Sequence, residues 1–374
     1  MGSSFFHFKQ ERKHMSVESI TLFYREGASD KVYQAAIMSE KGGFAVNFAY
    51  GRRGTTLQTG TKTQTPVPYS EAKVIYDKLV REKTAKGYTP GKDGTPYQHT
   101  SKEERASGIL PQLLNPVEEA EAERLVKDTD HCAQEKHDGR RTLLLKVGPV
   151  ASGINRKGLV ISLPSPIIKH AESVPGDFLL DGECVGDVLH AFDLLTLEGK
   201  NLRTRPYGER LINLINFLAS FEHPHIELAP TAFNPRDKTT LLKTLRRDQK
   251  EGIVFKRLDA PYASGKPASG GTQLKYKFYA TASFVVTLVN SKRSVGISLQ
   301  REDGKLAEAG NVTIPPNKKV PSLGMVVEVR YLYAFKESGR VYQPVYLGER
   351  DDLSEKDCTT AQLKYRAPVE EDEA

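Results

Sequence analysis

A chain of 374 residues with 38% apolar and 8% aromatic side chains can bury ordinary globular cores, and its length suggests two or three domains. Its 27% charged content and net charge of +7 suit a polyanionic partner, because Lys and Arg neutralise phosphates and release counterions. A disulfide framework and a membrane-spanning helix are excluded: Cys132, Cys184 and Cys358 lie far apart, and no apolar run could cross a bilayer.

Residues 1–15 open on Met-Gly-Ser-Ser and end on His14-Met15, and read as an expression leader. The first zone, 16–90, alternates polar and apolar residues at Ala45-Val46-Asn47-Phe48-Ala49-Tyr50, which predicts a strand. Ala72, Ile75, Tyr76 and Leu79 fall on one face of a predicted helix. Residues 91–108 are rich in Gly, Pro, Lys, Ser and Thr and read as a linker.

The second zone, 109–280, mixes the two periodicities. Strands are predicted at Leu143–Val147, Leu159–Ile161 and Phe178–Leu180. Helices are predicted at Pro206–Ala219, with Leu211, Leu214, Ile215 and Leu218 at helical spacing, and at Asp237–Gln249. The third zone, 281–366, holds short β-type runs at Phe284–Leu288, Val295–Leu299, Val326–Val329 and Val345–Leu347. That spacing suggests a small barrel or sandwich. Residues 367–374 form an acidic tail.

The chemistry concentrates in the second zone. Lys136-His137-Asp138-Gly139-Arg140-Arg141 is a KxDGxR string. A lysine acts as a nucleophile when burial or a neighbouring cation helps it lose its proton. Asp138-Gly139 suits a tight turn into the next strand, from which Arg141 is expected to emerge beside the lysine and grip an anion. Asp181-Gly182-Glu183 ends an apolar run, placing an acid for a ribose hydroxyl or a metal ion. Phe192, in His190-Ala191-Phe192-Asp193-Leu194, offers a ring to stack on a base. Glu251 opens Glu251-Gly252-Ile253-Val254-Phe255-Lys256. Lys275 and Lys277 share a strand face and suit an α-phosphate. Each piece alone also reads as ordinary structure: a hairpin turn, a core ring, a solvated strand face. Ser264-Gly265-Lys266 lacks P-loop spacing and reads as a mobile loop.

The order KxDGxR, DGE, FDLL, EGIVFK, LKYK resembles the covalent nucleotidyltransferase superfamily of ATP-dependent DNA ligases, RNA ligases and capping enzymes. Pro111-Gln112-Leu113-Leu114 and Tyr207-Gly208-Glu209-Arg210 resemble the small ATP-dependent DNA ligases among them. The first zone is similar to a WGR module through Tyr24, Lys31, Tyr33 and Tyr50-Gly51-Arg52-Arg53-Gly54, with Tyr50 in place of the tryptophan. From Glu18 to Tyr88 it carries 11 Lys and Arg against 7 Asp and Glu, compatible with a grip on a nucleic-acid backbone.

The resemblance implies an α+β protein: a small WGR-like α/β module, an adenylation domain with antiparallel sheets, and an OB-fold β-barrel. It implies a DNA ligase that seals 5′-phosphate/3′-hydroxyl nicks in double-stranded DNA, consuming ATP with Mg²⁺ or Mn²⁺. Lys136 would carry AMP. Lys275 and Lys277 would bind phosphate, and Glu183 and Glu251 ribose or metal. Arg141 would meet the ribose or the nick phosphate, and Arg156, in Asn155-Arg156-Lys157-Gly158, stands where the family often has a phosphate-reading arginine. Phe192 and Val254 would sandwich the adenine, with Gln134 or Glu135 at its edge. Arg350 and Asp352, in Leu347-Gly348-Glu349-Arg350-Asp351-Asp352, match the motif that orients pyrophosphate, although no Lys or Arg follows. The expected setting is a monomer in bacterial or phage-infected cytoplasm, without a membrane. Rival readings are an RNA ligase, a capping guanylyltransferase and an inactive DNA-binding relative. From its positive charge and WGR-like pattern, deletion of residues 1–88 is expected to weaken nick binding and leave the adenylyl chemistry intact.

Overall fold

The computed structural model describes residues 16–26, 29–91, 94–221 and 224–366; the leader and the acidic tail lie outside them. The chain is a mixed α/β protein of mostly antiparallel sheets with few helices. It divides into two compact units that interleave along the sequence. The first takes residues up to 113, 139–228 and 261–265; the second takes 114–138, 229–260 and residues from 266 onward.

The first unit begins with a five-stranded sheet ordered Gln58–Thr61, Gly43–Arg52, Ser29–Glu40, Ser16–Glu26, Thr89–Pro90. The helix Tyr69–Thr84 lies on it. Ala72, Tyr76 and Leu79 are buried against Leu22, Tyr33, Ile37 and Val46, and Ile75 packs at the margin, as the 3.6-residue spacing requires. Gly87, at φ +84, turns the chain just beyond the helix.

The segment read as a linker is packed. Tyr97 is buried with Val32, Ala49 and Leu57, and Tyr97–Gln98 pairs with Leu163–Pro164. His99, Glu103 and Ser162 are buried together; the Ser162 hydroxyl donates to Glu103 and lies 3.1 Å from Nδ1 of His99. A few burying residues among many turn residues give this stretch its linker-like composition.

A seven-stranded sheet completes the unit. Its order is Val160–Ile161, Val150–Asn155, Arg140–Val147, Phe178–Val185, Val188–Leu197, Lys200–Asn201, with Ile226–Leu228 parallel to Val188–Leu197. The predicted strands fall here, but Asp181-Gly182-Glu183 lies within a strand rather than at its end. The helix Tyr207–Ala219 buries Leu211, Leu214 and Leu218, while Ile215 faces outward at 38% exposure. Arg210 on this helix reaches Asp193 through Nε at 2.8 Å and Nη2 at 2.9 Å, and both side chains are 1% exposed. That pair fixes the strand carrying Phe192.

The second unit holds a five-stranded sheet ordered Thr231–Ala232, His131–Glu135, Gly252–Arg257, Gln273–Lys277, Asn115–Pro116. The helices Glu119–Lys127 and Pro235–Arg247 cover it, burying Leu125, Leu245, Ile253, Phe255, Leu274 and Phe278. The second helix starts two residues before its predicted position because Asn234 caps it, accepting from the Asp237 amide. Lys238 is fully buried; its ammonium donates to the carbonyls of Leu125, Asp128 and His131, closing the end of the neighbouring helix.

A second sheet follows in the order Leu306–Thr313, Ser294–Gln300, Ala280–Val289, Val326–Tyr331, Val345–Glu349, around Phe284, Val295, Ile297, Val327 and Tyr331. The expected barrel is not closed: among the described strands its two edges touch without pairing.

Removing one partner of the buried Arg210–Asp193 pair leaves the other charge unpaired. Asp193→Ala is expected to lower the free energy of unfolding by roughly 3–5 kcal/mol in a urea titration; unchanged stability would contradict this account of the strand's anchorage.

Candidate active site

Lys136 follows the last residue of the strand His131–Glu135, and its backbone N–H donates to the Gly252 carbonyl at 3.0 Å. Gly252 pairs with Lys277, and a Cβ there would sit 2.2 Å from the Tyr276 carbonyl oxygen. Only glycine therefore allows this register, which brings Lys277 to the start of the strand that follows Glu251.

The result is a shared carboxylate. Glu251 Oε2 lies 2.7 Å from Lys136 Nζ, and Oε1 lies 2.7 Å from Lys277 Nζ. The Glu251 side chain is 4% exposed, and the two lysines are 18% and 11% exposed. Gln343 Oε1 also accepts from Lys277 at 3.0 Å. Burial, then the ammonium groups of Lys136 and Lys277, hold Lys275 below the ordinary lysine value. Burial acts the same way on Lys277, but Glu251 outweighs it and holds that lysine above its ordinary value. Three lysines thus crowd around one carboxylate, an arrangement that favours an incoming anion.

The same sheet places the base-contact candidates. Val254 pairs with Lys275 on one side and Gln134 on the other, and both are buried. Gln134 Nε2 donates to Thr231 Oγ1 at 2.8 Å. Glu135 lies 3.8 Å from Lys250 and 3.6 Å from His137, its carboxyl pushed up by burial. Asp138 accepts from the Tyr333 hydroxyl at 2.6 Å and lies 3.4 Å from Arg366.

The first unit holds the other candidates. Arg141 does not extend toward solvent to await an anion. Its Nε and Nη2 meet Asp181 at 2.8 Å each, and Nη2 also donates to the Gln112 carbonyl at 3.0 Å. The Tyr262 hydroxyl donates to Asp181 at 2.8 Å and accepts the Gln112 amide at 2.8 Å. The guanidinium lies 4.5 Å from the centroid of the Phe192 ring, which is 8% exposed. Glu183 is half-buried, paired in register with Arg141 and His190. Arg156 is exposed at the turn after Val150–Asn155.

Arg350 pairs with Asp352 at 2.6 and 2.7 Å and with Glu328 at 3.1 Å, so the two closing-motif residues bind each other on their own sheet. The loop read as mobile is tied at Gly265, which donates to the Pro111 carbonyl at 2.9 Å and accepts the Leu113 amide at 2.8 Å. Sequence reasoning missed Tyr262, Tyr333 and Gln343, which carry no motif, and the contacts of Gln112 within Pro111-Gln112-Leu113-Leu114. Their roles arise from contacts between distant segments.

Among the described residues no group of three His, Cys, Asp or Glu side chains could hold a metal ion. Glu251 already satisfies two ammonium groups with its two oxygens.

On the five-stranded module, Tyr50 is 47% exposed and stacks on Tyr33 at 6.3 Å; Lys83 sits 4.2 Å over the Tyr33 ring. A cavity of about 440 Å³ is lined in part by Lys31, Tyr50, Arg52 and Tyr88. Residues 19–95 match the WGR domain family. This module is a WGR domain. A DNA ligase from Nanoarchaeum equitans (strain Kin4-M) is 34% identical over 89 residues, a match spanning 23% of this chain and only 16% of that relative's length.

Two solved structures are similar in fold. One, from a structure-function study of Lig E DNA ligases and DNA binding with a minimal scaffold, is 16% identical. It has a TM-score of 0.50 and covers 65% of this chain and 99% of its own. The other, Pmar-Lig_PreS3, is 18% identical with a TM-score of 0.53, covering 64% of this chain and 67% of its own. The chain thus joins a WGR domain to a body with the DNA ligase fold.

A charged Lys275, pressed by burial and two ammonium groups, costs stability below its lowered pKa; the cost fades as pH rises toward the unfolded value near 10.5. Lys275→Met is therefore expected to raise the thermal midpoint at neutral pH and weaken anion binding. Calorimetry showing a lower midpoint would contradict the crowding of cations described above.

Proposed function

We propose that the chain is an ATP-dependent DNA ligase that seals nicks through a lysyl-AMP intermediate on Lys136. The observation that carries this reading is the Glu251 carboxylate bonded to both Lys136 and Lys277. An amine nucleophile must shed a proton, and Glu251 Oε2 is 2.7 Å from Lys136 Nζ to receive it. The neutral amine attacks the α-phosphorus of ATP. A nitrogen–phosphorus bond forms, the bond to the bridging oxygen breaks, and pyrophosphate leaves.

Negative charge gathers on the phosphoryl oxygens, and Lys275 and Lys277 offset it. Mg²⁺ enters as part of the nucleotide substrate, held by its phosphates rather than by a protein cage. The AMP then passes to the 5′-phosphate at a nick, and the 3′-hydroxyl attacks that phosphate and releases AMP. Covalent catalysis of this kind divides one difficult condensation into three displacements.

Val254 and Gln134 are the base-contact candidates of the second unit. Phe192, Glu183 and Arg141 are those of the first, with Arg141 acting mainly by plating the Phe192 ring. Arg350 and Asp352 would have to exchange their present pairing to grip pyrophosphate. The WGR domain, with its exposed Tyr50 and excess of basic residues, supports double-stranded DNA as the partner. A ligase that accepts RNA at the nick is the second reading, since the same lysine chemistry serves it.

Incubation with α-labelled ATP should label the protein in a denaturing gel, with GTP giving none. Lys136→Ala should abolish the label. Glu251→Gln should slow labelling by about 10²–10⁴-fold, the usual worth of a positioned base. Label that survives Lys136→Ala would sink the reading. Chasing the adduct with nicked DNA, nicked RNA and hybrids separates the DNA reading from its alternative.

A further inference from the structure

The WGR loop that follows the Tyr50–Gly54 motif is bonded to the two strands that carry Arg141 and Glu183. Arg140 Nη1 donates to the Leu57 carbonyl at 2.7 Å, and Nη2 donates to Thr59 Oγ1 at 3.2 Å. Thr56 Oγ1 donates to the Cys184 carbonyl at 2.8 Å and accepts the Gly186 amide at 3.1 Å. Arg140 and Cys184 face each other in register, one step from the Arg141–Glu183 pair. At Gly139 a Cβ would come within 2.4 Å of that same Cys184 carbonyl, so the strands meet there without slack.

The loop itself is anchored in its own domain. Leu57 is 3% exposed within the small core around Tyr97, and its amide donates to the Tyr97 hydroxyl at 2.7 Å. Arg140 has no part in the proposed chemistry, yet it is a half-buried guanidinium with acceptors from the WGR segment 57–59. Losing them would strand a buried charge.

We propose that Thr56 and Arg140 are positioning residues: the WGR segment 55–59, a turn running into the strand Gln58–Thr61, braces the paired strands bearing Arg141 and Glu183, so that nucleotide handling depends on the WGR domain. This rests on the proposed ligase reading. It replaces the picture of a removable DNA-binding module. Because the segment starts one residue after the motif, whatever the motif holds is connected through five residues to the strands that carry Arg141 and Glu183.

Full-length Thr56→Val, Arg140→Met and Arg140→Lys test the proposal against wild type. Two readouts are taken: amide hydrogen exchange, and the ATP dependence of Lys136 labelling. In the first two variants, exchange should quicken at 140–142 and 183–186, with the far halves of both strands unchanged. Their KM for ATP should rise about 5- to 10-fold, with kcat changing less, as expected for one or two lost hydrogen bonds. Arg140→Lys should recover part of the loss, since an ammonium can still reach one carbonyl. Quickened exchange with a wild-type KM would reduce the contact to plain structural support and overturn the proposal, as would unchanged exchange. If wild type itself takes no label while the exchange pattern responds, the ligase reading fails and the positioning role fails with it.

Discussion

A buried carboxylate shared by two ammonium groups organises the second unit. Glu251 alone cannot neutralise Lys136, Lys277 and Lys275, so the cluster stays positively charged and partly desolvated. Such a cluster is costly without a ligand and strongly favours an anion. The sheet is built to impose it. Gly252 has no Cβ where the Tyr276 carbonyl passes, and that close pairing sets Lys277 against Glu251. The buried Lys238 and the Asn234 cap hold the two helices that cover the opposite side.

The first unit solves a different problem, which is to hold an aromatic ring and an acid in place from behind. Asp181 fixes Arg141, Tyr262 and Gln112 fix Asp181, and the Arg210–Asp193 pair anchors the strand that carries Phe192. Nearly every polar atom in this chain of contacts belongs to a pair or a hydrogen bond. That is the condition under which buried polar groups add rigidity rather than cost. The WGR loop closes the same network from its far edge through Arg140 and the Cys184 carbonyl.

Much of this was legible in the sequence, for identifiable reasons. Lys136, Glu251, Lys275 and Lys277 stand in short motifs, and strand periodicity alone puts Lys275 and Lys277 on one face. The strands at 143–147 and 295–299 and the helix at 207–219 follow from apolar spacing. What stayed hidden depends on which strands become neighbours. Arg141 reads as an anion grip, and its ion pair with the side chain of Asp181, forty residues later on the neighbouring strand, appears only once the sheet is assembled. Tyr262 and Gln112 belong to stretches with no periodic pattern. The segment 94–108 has linker composition but buries Tyr97, His99 and Glu103. Barrel closure, too, is set by strand ends and stagger, which local patterns do not encode.

The most direct test of the central claim is peptide mapping by mass spectrometry after the wild-type chain has been mixed with ATP and Mg²⁺. One AMP adduct is expected, located on the peptide containing Lys136, with Lys275 and Lys277 unmodified. An adduct on either of those lysines, or none at all, would contradict it.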